Sequence, residues 1–375
     1  MNSYRLTRRS AMKTIGAGAA SLFAAPATAR RSSAPAPKIV LGTQAITPAI
    51  ESYLGATDFF KEEGLTVELT RFNSFAPLFQ AMVASNVAVG GAGVAPSIIG
   101  IARGLPLIFP FLATFVTPRR PLERIMVMPN SPIQTLDDLK GKKLAFLGPG
   151  TVPDMMLDAL PMKSRIHKDE IQLVPMPPPT MPDALAQGMV DAIFAIPPGD
   201  SVAESKYNAR TIVNATELVP YVGLTTVAIR RDFADNNPEA TGRLLRAYIR
   251  LSRWAGGNDA EARKAMGKNL NLPDDLAARA RIPLFSRNGL PVMPNVWNLY
   301  EMLVQNKTID ALSDPMKLFD AAIVEPTKRF TLPAVEALGL LPDPDINAML
   351  QGEYPFLPKP ASNYYADWER TGGWQ

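Results

Sequence analysis

The chain has 375 residues, a formal net charge of +4, a single histidine and no cysteine. The lack of cysteine excludes disulfides, thiolate metal sites, a cysteine nucleophile and a lipid-modified N-terminal cysteine. Four basic residues and no acid precede residue 29, so the rest of the chain has no net charge. Nucleic-acid binding requires a concentrated basic surface, and we therefore expect no nucleic-acid partner.

Residues 1–29 have the pattern of an export signal. The twin arginines Arg8 and Arg9 precede an apolar run from Thr14 to Ala25, and the sequence Ala-Thr-Ala ends at Ala29. The apolar run is too short to span a bilayer. Basic, apolar and small-residue segments in this order indicate a Tat signal peptide better than a buried or interfacial helix. We predict cleavage after Ala29 and a periplasmic protein that is not embedded in a membrane.

The remaining chain is long enough for two lobes rather than one compact core. Residues 30–37 are polar and proline-rich, which is typical of a linker, and the fold is predicted to begin at Lys38. The predicted divisions are lobe I at 38–121 plus 226–335, lobe II at 122–225, and a C-terminal extension at 336–375.

Strand, loop and helix signals recur about 105 residues apart, which indicates an internal repeat, although similar β–α units could arise without duplication. Each half has the pattern of an open α/β sheet. The proline pairs that open matching helices are each 105 residues apart. The matching segments are Lys38–Gln44 with Pro48 against Lys143–Leu147 with Pro153, and Leu65–Arg71 with Pro77 against Ile171–Met176 with Pro182.

Helical patterns follow the strands and dominate beyond Arg230. The first predicted helix runs from Thr47 to about Lys61. Later helices, expected to cover lobe I, are predicted around 238–256, 260–268, 274–281, 296–305 and 315–323. The chain is predicted to pass between the lobes at 119–124 and at 222–229, with hinges at 121–124 and 223–226.

The stretch Ser131–Thr151 contains Thr-Leu-Asp-Asp-Leu-Lys-Gly-Lys-Lys-Leu-Ala, followed by a glycine-rich loop. This spacing, together with residues 182–192, resembles the second lobe of periplasmic solute-binding proteins of ABC importers. The nearest likeness is to the nitrate, sulfonate, taurine and thiamine-precursor group. The resemblance implies an α/β fold of the two-lobed, type II-like kind, with a central cleft and two crossover segments. It also implies an exported receptor that passes a small solute to an ABC permease and its ATPase.

Both halves place helix N-termini after the carboxyl ends of strands, where open α/β sheets bind ligands. Backbone amides at such ends favour an anionic or dipolar solute. Helix capping explains any one of these residues about as well, but six converging segments favour a cleft. These segments are 43–47, 73–75, 92–95, 114–118, 150–152 and 196–200. The predicted ligand-binding residues are Thr43, Gln44, Thr47, Asn73, Ser74, Phe75, Gly93, Val94, Thr114, Gly150, Thr151, Val152 and Pro198. Whether Arg71 and Arg119 contact the ligand or only solvent is left open.

Catalysis has little support in the sequence. His167 lies in a charged stretch typical of an exposed turn, and the acidic pairs 137–138 and 274–275 are explained by helix capping. No Gly-x-Ser-x-Gly or His-Glu-x-x-His motif occurs. We expect a monomeric binding protein without cofactor or metal. The alternatives are an enzyme of the same fold, periplasmic or cytoplasmic, acting on a thiamine-like or pyrimidine-like compound, and a carrier that docks on a signalling receptor.

Overall fold

The computed structural model describes residues 38–44, 46 and 48–340. Short apolar segments form the strands of two sheets. The strands are β1 Lys38–Gln44, β2 Thr66–Phe72, β3 Val89–Gly93, β4 Leu107–Val116, β5 Arg124–Val127, β6 Lys143–Phe146, β7 Gln172–Pro175, β8 Ala192–Ala195, β9 Arg210–Asn214, β10 Val222–Arg230 and β11 Leu284–Phe285.

Helices follow most strands and cover the sheets. They are α1 Phe59–Glu62, α2 Phe75–Val83, α3 Val94–Ala102, α4 Val152–Asp158, α5 Met181–Ala186, α6 Gly199–Tyr207, α7 Ala215–Leu218, α8 Arg231–Asn236, α9 Pro238–Gly257, α10 Asp259–Leu270, α11 Asp274–Arg279, α12 Met293–Gln305, α13 Pro315–Phe319 and α14 Leu332–Ala337. Short 3₁₀ or π segments occupy Ile50–Tyr53, Asp137–Leu139, Leu160–Met162, Lys168–Glu170, Pro178–Thr180, Asp320–Val324 and Thr327–Thr331.

The two sheets share one strand order. The first sheet runs β2-β1-β3-β10-β4-β11 and the second runs β7-β6-β8-β5-β9. In each, three parallel strands are followed by one antiparallel strand, β10 or β5, that enters from the other half of the chain. The matching β1 and β6 begin at Lys38 and Lys143. The correspondence of elements predicted from the sequence is thus confirmed.

Both faces of the first sheet are packed. On β4, Phe109 and Phe115 belong to a cluster with α2, α3 and α12, whereas Ile108 and Phe111 belong to a cluster with α9 and α10. A strand that alternates between two buried clusters shows almost no polar side chain, which is why 107–116 is nearly all apolar. The first cluster continues into the second lobe through α4 and β6, so one apolar core joins the lobes.

The connections between the sheets are residues 117–123 and the short segment after α7, residues 219–221. The residues predicted as a hinge, 223–226, are paired within β10 to β3 and β4 and follow the connection itself. Gly223 serves a close approach instead: its N–H donates to Asn295 Oδ1 at 2.9 Å, and a Cβ there would lie 2.8 Å from the same atom. The predicted lobe boundary at 225/226 falls inside this strand.

The predicted helix from Thr47 to Lys61 is also wrong. Its residues form a 3₁₀ turn at Ile50–Tyr53 and the short α1, separated by an irregular segment. Gly55 in that segment has φ +87°, a left-handed conformation that an α-helix cannot contain. The predicted signal peptide, the linker and residues 341–375 of the predicted extension lie outside the described residues; residues 336–337 belong to α14.

Candidate functional site

A small cavity lies between the lobes, at the carboxyl ends of β1, β3, β6 and β8; we call it the interlobe cavity. Its volume is about 30 Å³, enough for roughly two water molecules. The described residues that line it are Ile46, Pro48, Phe75, Gly93, Pro96, Glu123, Leu147, Thr151, Val152, Pro153, Ile196, Leu224 and Thr225.

Four of the predicted site residues meet at this cavity: Phe75, Gly93, Thr151 and Val152. They come from three of the six segments, and Ile46 and Ile196 bring in two more. Phe75 and Gly93 pack together, since a Cβ on Gly93 would lie 3.0 Å from the Phe75 ring. Gly93 therefore lets the aromatic ring approach the start of α3. The structure brings both lobes' strand ends to one place.

Other predicted residues lie in the first lobe, beside or beneath the cavity. Thr114 is fully buried and hydrogen-bonded to the Pro48 carbonyl (2.9 Å) and to the Thr225 hydroxyl (2.5 Å). Thr43 donates to Glu51, and Val94 packs into the core. These three residues pack within the first lobe and do not line the interlobe cavity. Thr47 lies outside the described residues.

The remaining predicted residues are dispersed. Asn73 and Ser74 are exposed, and Pro198, after a cis peptide bond, precedes α6 without lining the cavity. Gln44 is buried and its Oε1 has no hydrogen-bond partner in the described structure. Of the two arginines, Arg71 donates to the Asn269 carbonyl and Arg119 is exposed; neither lines the cavity.

Polar groups of the glycine-rich loop before α4 are hydrogen-bonded to other groups of the second lobe. The Gly150 N–H donates to Asp154 Oδ2 at 2.9 Å, and the Thr151 hydroxyl donates to the Gly148 carbonyl at 2.6 Å. Asp154 is in turn paired with Lys168. Two donors expected to face an anion are thus engaged within the second lobe. The loop therefore lines the cavity without offering these two donors to a ligand.

Glu123, in the first connection between the lobes, is the one charged side chain among the described residues that line the cavity. It is 3% exposed, and its Oε2 atom has no hydrogen-bond partner in the described structure. Burial raises the pKa of its carboxyl to about 8. The sequence did not single out Glu123, because it stands among arginines at a predicted crossover and so resembles a solvated charge.

A partly buried ion cluster surrounds Arg124, the residue that follows Glu123 in the chain. Arg124 donates to Asp200 Oδ2 from Nη2 at 2.8 Å and to Glu204 Oε1 from Nη1 at 2.8 Å. Arg281, from the segment before β11, donates to the Pro121 carbonyl at 3.2 Å and lies 3.7 Å from Asp200. The first lobe therefore holds the connecting segment and α6 of the second lobe through Arg281.

A larger cavity of about 1030 Å³ lies at the flank of the second connection. It is bounded by α7, α12 and residues 219–222 and shares no lining residue with the interlobe cavity. The smaller cavity lies at the strand ends of both lobes, the place where open α/β sheets bind ligands.

None of the helices in the described ranges is long and apolar enough to cross a membrane. Within the same ranges, no three acidic, histidine or cysteine side chains are grouped so that they could hold a metal ion.

Two lobes of one topology that close over a cavity define the periplasmic binding protein fold, and solved structures agree. The periplasmic aliphatic sulphonate binding protein SsuA from Escherichia coli matches with a TM-score of 0.61 at 19% identity, covering 73% of this chain and 89% of that one. The nitrate-binding protein NrtA from Synechocystis PCC 6803 matches with a TM-score of 0.67 at 17% identity, covering 81% and 89%. Likenesses at such low identity show the fold alone.

The family model described as NMT1-like matches residues 32–271, and the chain belongs to that family. The taurine-binding periplasmic protein of Escherichia coli (strain K12) is 25% identical over 194 residues, which are 51% of this chain and 58% of that protein. The chain thus spans about three fifths of the length of the curated relatives it matches.

Proposed function

We propose that this protein is a solute receptor that binds a small polar organic molecule in the interlobe cavity and delivers it to the permease of an ABC importer. The observation that carries the proposal is the cavity itself: its walls come from the strand ends of both lobes and from one of the two connections between them. Such a site can be entered only when the lobes separate, which couples solute binding to domain closure.

The family and the relatives support this proposal. Relatives include proteins named for binding taurine and aliphatic sulfonates, so a small solute with a dipolar or anionic head is the expected class. We also propose that the N-terminal segment exports the chain by the Tat route and that it works as a monomer in the periplasm. The cavity lining favours a dipolar solute over a purely anionic one, because the charged residue among the described lining residues is the acid Glu123.

The direct test is a binding screen with taurine, ethanesulfonate and nitrate by calorimetry, combined with small-angle scattering. We expect saturable binding of at least one compound and a smaller radius of gyration in its presence. Mass spectrometry of the solute released after denaturation should recover it chemically unchanged. A converted product would instead establish an enzyme of the same fold. Failure of every compound to bind, with nothing co-purifying, would reject the receptor function.

A further inference from the structure

The carboxyl of Glu123 is an exception among the buried acids. Glu51, equally buried, accepts hydrogen bonds from Tyr248 and Thr43, and Asp200 is paired with Arg124. Glu123 Oε2 has no such partner in the part of the chain that the structure describes. A buried polar atom without a partner costs free energy, and a group that binds in the adjoining cavity could supply the missing contact.

The arginines near Glu123 in the sequence are paired with other acids or exposed to solvent. Arg120 is paired with Asp259 at 2.5 Å, and Arg124 with Asp200 and Glu204. Arg119 is exposed to solvent. The described residues that line the cavity together with Glu123 include no lysine, arginine or histidine, and burial raises the pKa of the Glu123 carboxyl. Within the described ranges, Oε2 of this acid has no hydrogen-bond partner and the cavity lining holds no cation.

The other described residues that line the cavity carry no charge. They are apolar except for the hydroxyls of Thr151 and Thr225, and the Thr151 hydroxyl already donates to the Gly148 carbonyl. A purely anionic solute would find an acid here and no lysine or arginine among these residues. A solute with a positive group would find a carboxylate in a site that excludes water, where charge-assisted hydrogen bonds are strongest.

We infer that the solute carries a protonated amine or a similar cationic N–H group, and that Glu123 is the residue that recognises it. This inference rests on the proposed receptor function and specifies its substrate class. The body of the solute would pack against Phe75 and the apolar wall formed by Leu147, Pro153 and Ile196. Glu123 would then select aminated solutes over isosteres that lack the amine.

Calorimetry with a matched pair of probes tests the inference: taurine, which carries an ammonium group, and ethanesulfonate, which lacks it. Wild type should bind taurine at least about tenfold more tightly than ethanesulfonate, since a hydrogen bond to a charged group is among the stronger polar contacts. Glu123→Gln should remove most of that preference. The control Glu51→Gln changes a buried acid outside the cavity and should keep the preference.

The pH dependence gives a second readout. Without solute, burial raises the pKa of Glu123 to about 8, so the carboxyl is mostly protonated at pH 6. An ammonium group requires the ionised form, so binding should release a proton and taurine affinity should rise by up to about tenfold per pH unit between pH 6 and 8. Glu123→Gln should flatten this slope.

Each outcome has one meaning. A wild-type affinity that falls with rising pH, for both probes, would show a protonated Glu123 donating to an anionic oxygen and would overturn the inference while leaving the receptor function intact. If wild type and Glu123→Gln each bound the two probes equally, the inference would be overturned and the receptor function would stand. Binding of neither probe, or of any compound in the wider screen, would overturn the receptor function and the inference with it.

Discussion

Tyr248 donates a hydrogen bond of 2.9 Å to Glu51 Oε1, and both side chains are completely buried beneath the first sheet. Thr43 donates to the other carboxylate oxygen at 3.3 Å. Burial nevertheless prevails over these bonds and raises the pKa of Glu51 to about 7. The folded protein therefore holds this proton more tightly than the unfolded chain does.

Glu51→Gln should consequently change how stability depends on pH. Because the folded state binds the extra proton, the stability of wild type falls as pH rises from the unfolded pKa near 4.5 through about 7. The variant lacks this penalty, so between pH 5 and pH 8 it should gain up to roughly 3 kcal/mol relative to wild type. Urea unfolding at the two pH values measures this difference. Glu261→Gln, at an exposed position on α10, is the control, and parallel curves for Glu51→Gln and wild type would contradict the argument.

Gly150→Ala should hold the lobes apart. Gly150 has φ +72°, and a Cβ there would lie 2.9 Å from Ile99 Cδ1 and 3.6 Å from Thr308 Cγ2, both in the first lobe. The variant should combine backbone strain of about 1 kcal/mol with a larger radius of gyration in small-angle scattering and weaker solute binding.

Gly141→Ala separates these two effects. Gly141 has the same φ of +72°, but nothing lies within 4 Å of a Cβ there. It should lower the melting temperature without changing the radius of gyration. Adding Ile99→Ala to Gly150→Ala should restore closure. If the radius of gyration of Gly150→Ala equals that of wild type, this contact does not limit closure.

Arg124 and Glu204 should contribute unequally to the free energy of unfolding. Arg124→Met removes the two hydrogen bonds from Arg124 to the fully buried Asp200 and leaves only Arg281, 3.7 Å away, as its counter-ion, so it should cost on the order of 3–5 kcal/mol. Glu204 is half exposed, and Glu204→Gln should cost less than about 1 kcal/mol. Chemical denaturation gives both values. The double change Arg124→Met with Asp200→Leu should recover most of the loss; equal costs for the two single variants would show that burial does not set the ranking.

Export should depend on the first arginine pair of the chain. Arg8→Lys with Arg9→Lys should retain the precursor in the cytoplasm, because the twin arginines define the Tat signal. The chain supplies its own control: Arg30→Lys with Arg31→Lys alters a second pair beyond the predicted cleavage site and should leave export unchanged. Cell fractionation followed by immunoblotting measures the result. Periplasmic mature protein after the first double change would reject the Tat assignment.

The sequence predicted those features that depend on local periodicity. Apolar runs bounded by turn residues located β1, β2, β6 and β7 within one residue or so, and the proline pairs indicated that both halves repeat the same succession of strands and helices. Phe75 and Gly93 could be placed at the cavity because they follow strand ends, and strand ends of a parallel sheet meet at one edge.

Other features depend on contacts between distant segments, and local patterns do not contain them. Gly223 suggested a hinge, but its small size serves an approach to Asn295, 72 residues away. Glu123 was not singled out in the sequence, yet it is buried and lines the interlobe cavity. Gly150 suggested an amide donor for an anion, but its N–H is taken by Asp154 four residues later.

The position of β10 governs the order in which the protein can fold during synthesis. β10 lies between β3 and β4 in the first sheet, but the ribosome makes it only after the whole of β5–β9. Until residue 230 has emerged, the first sheet is divided into two incomplete pieces, whereas the strands of the second sheet form an uninterrupted stretch from 124 to 214. The lobe whose strands are made later can therefore complete its sheet first, and a fragment ending at residue 221 would leave the facing edges of β3 and β4 unpaired and open to aggregation.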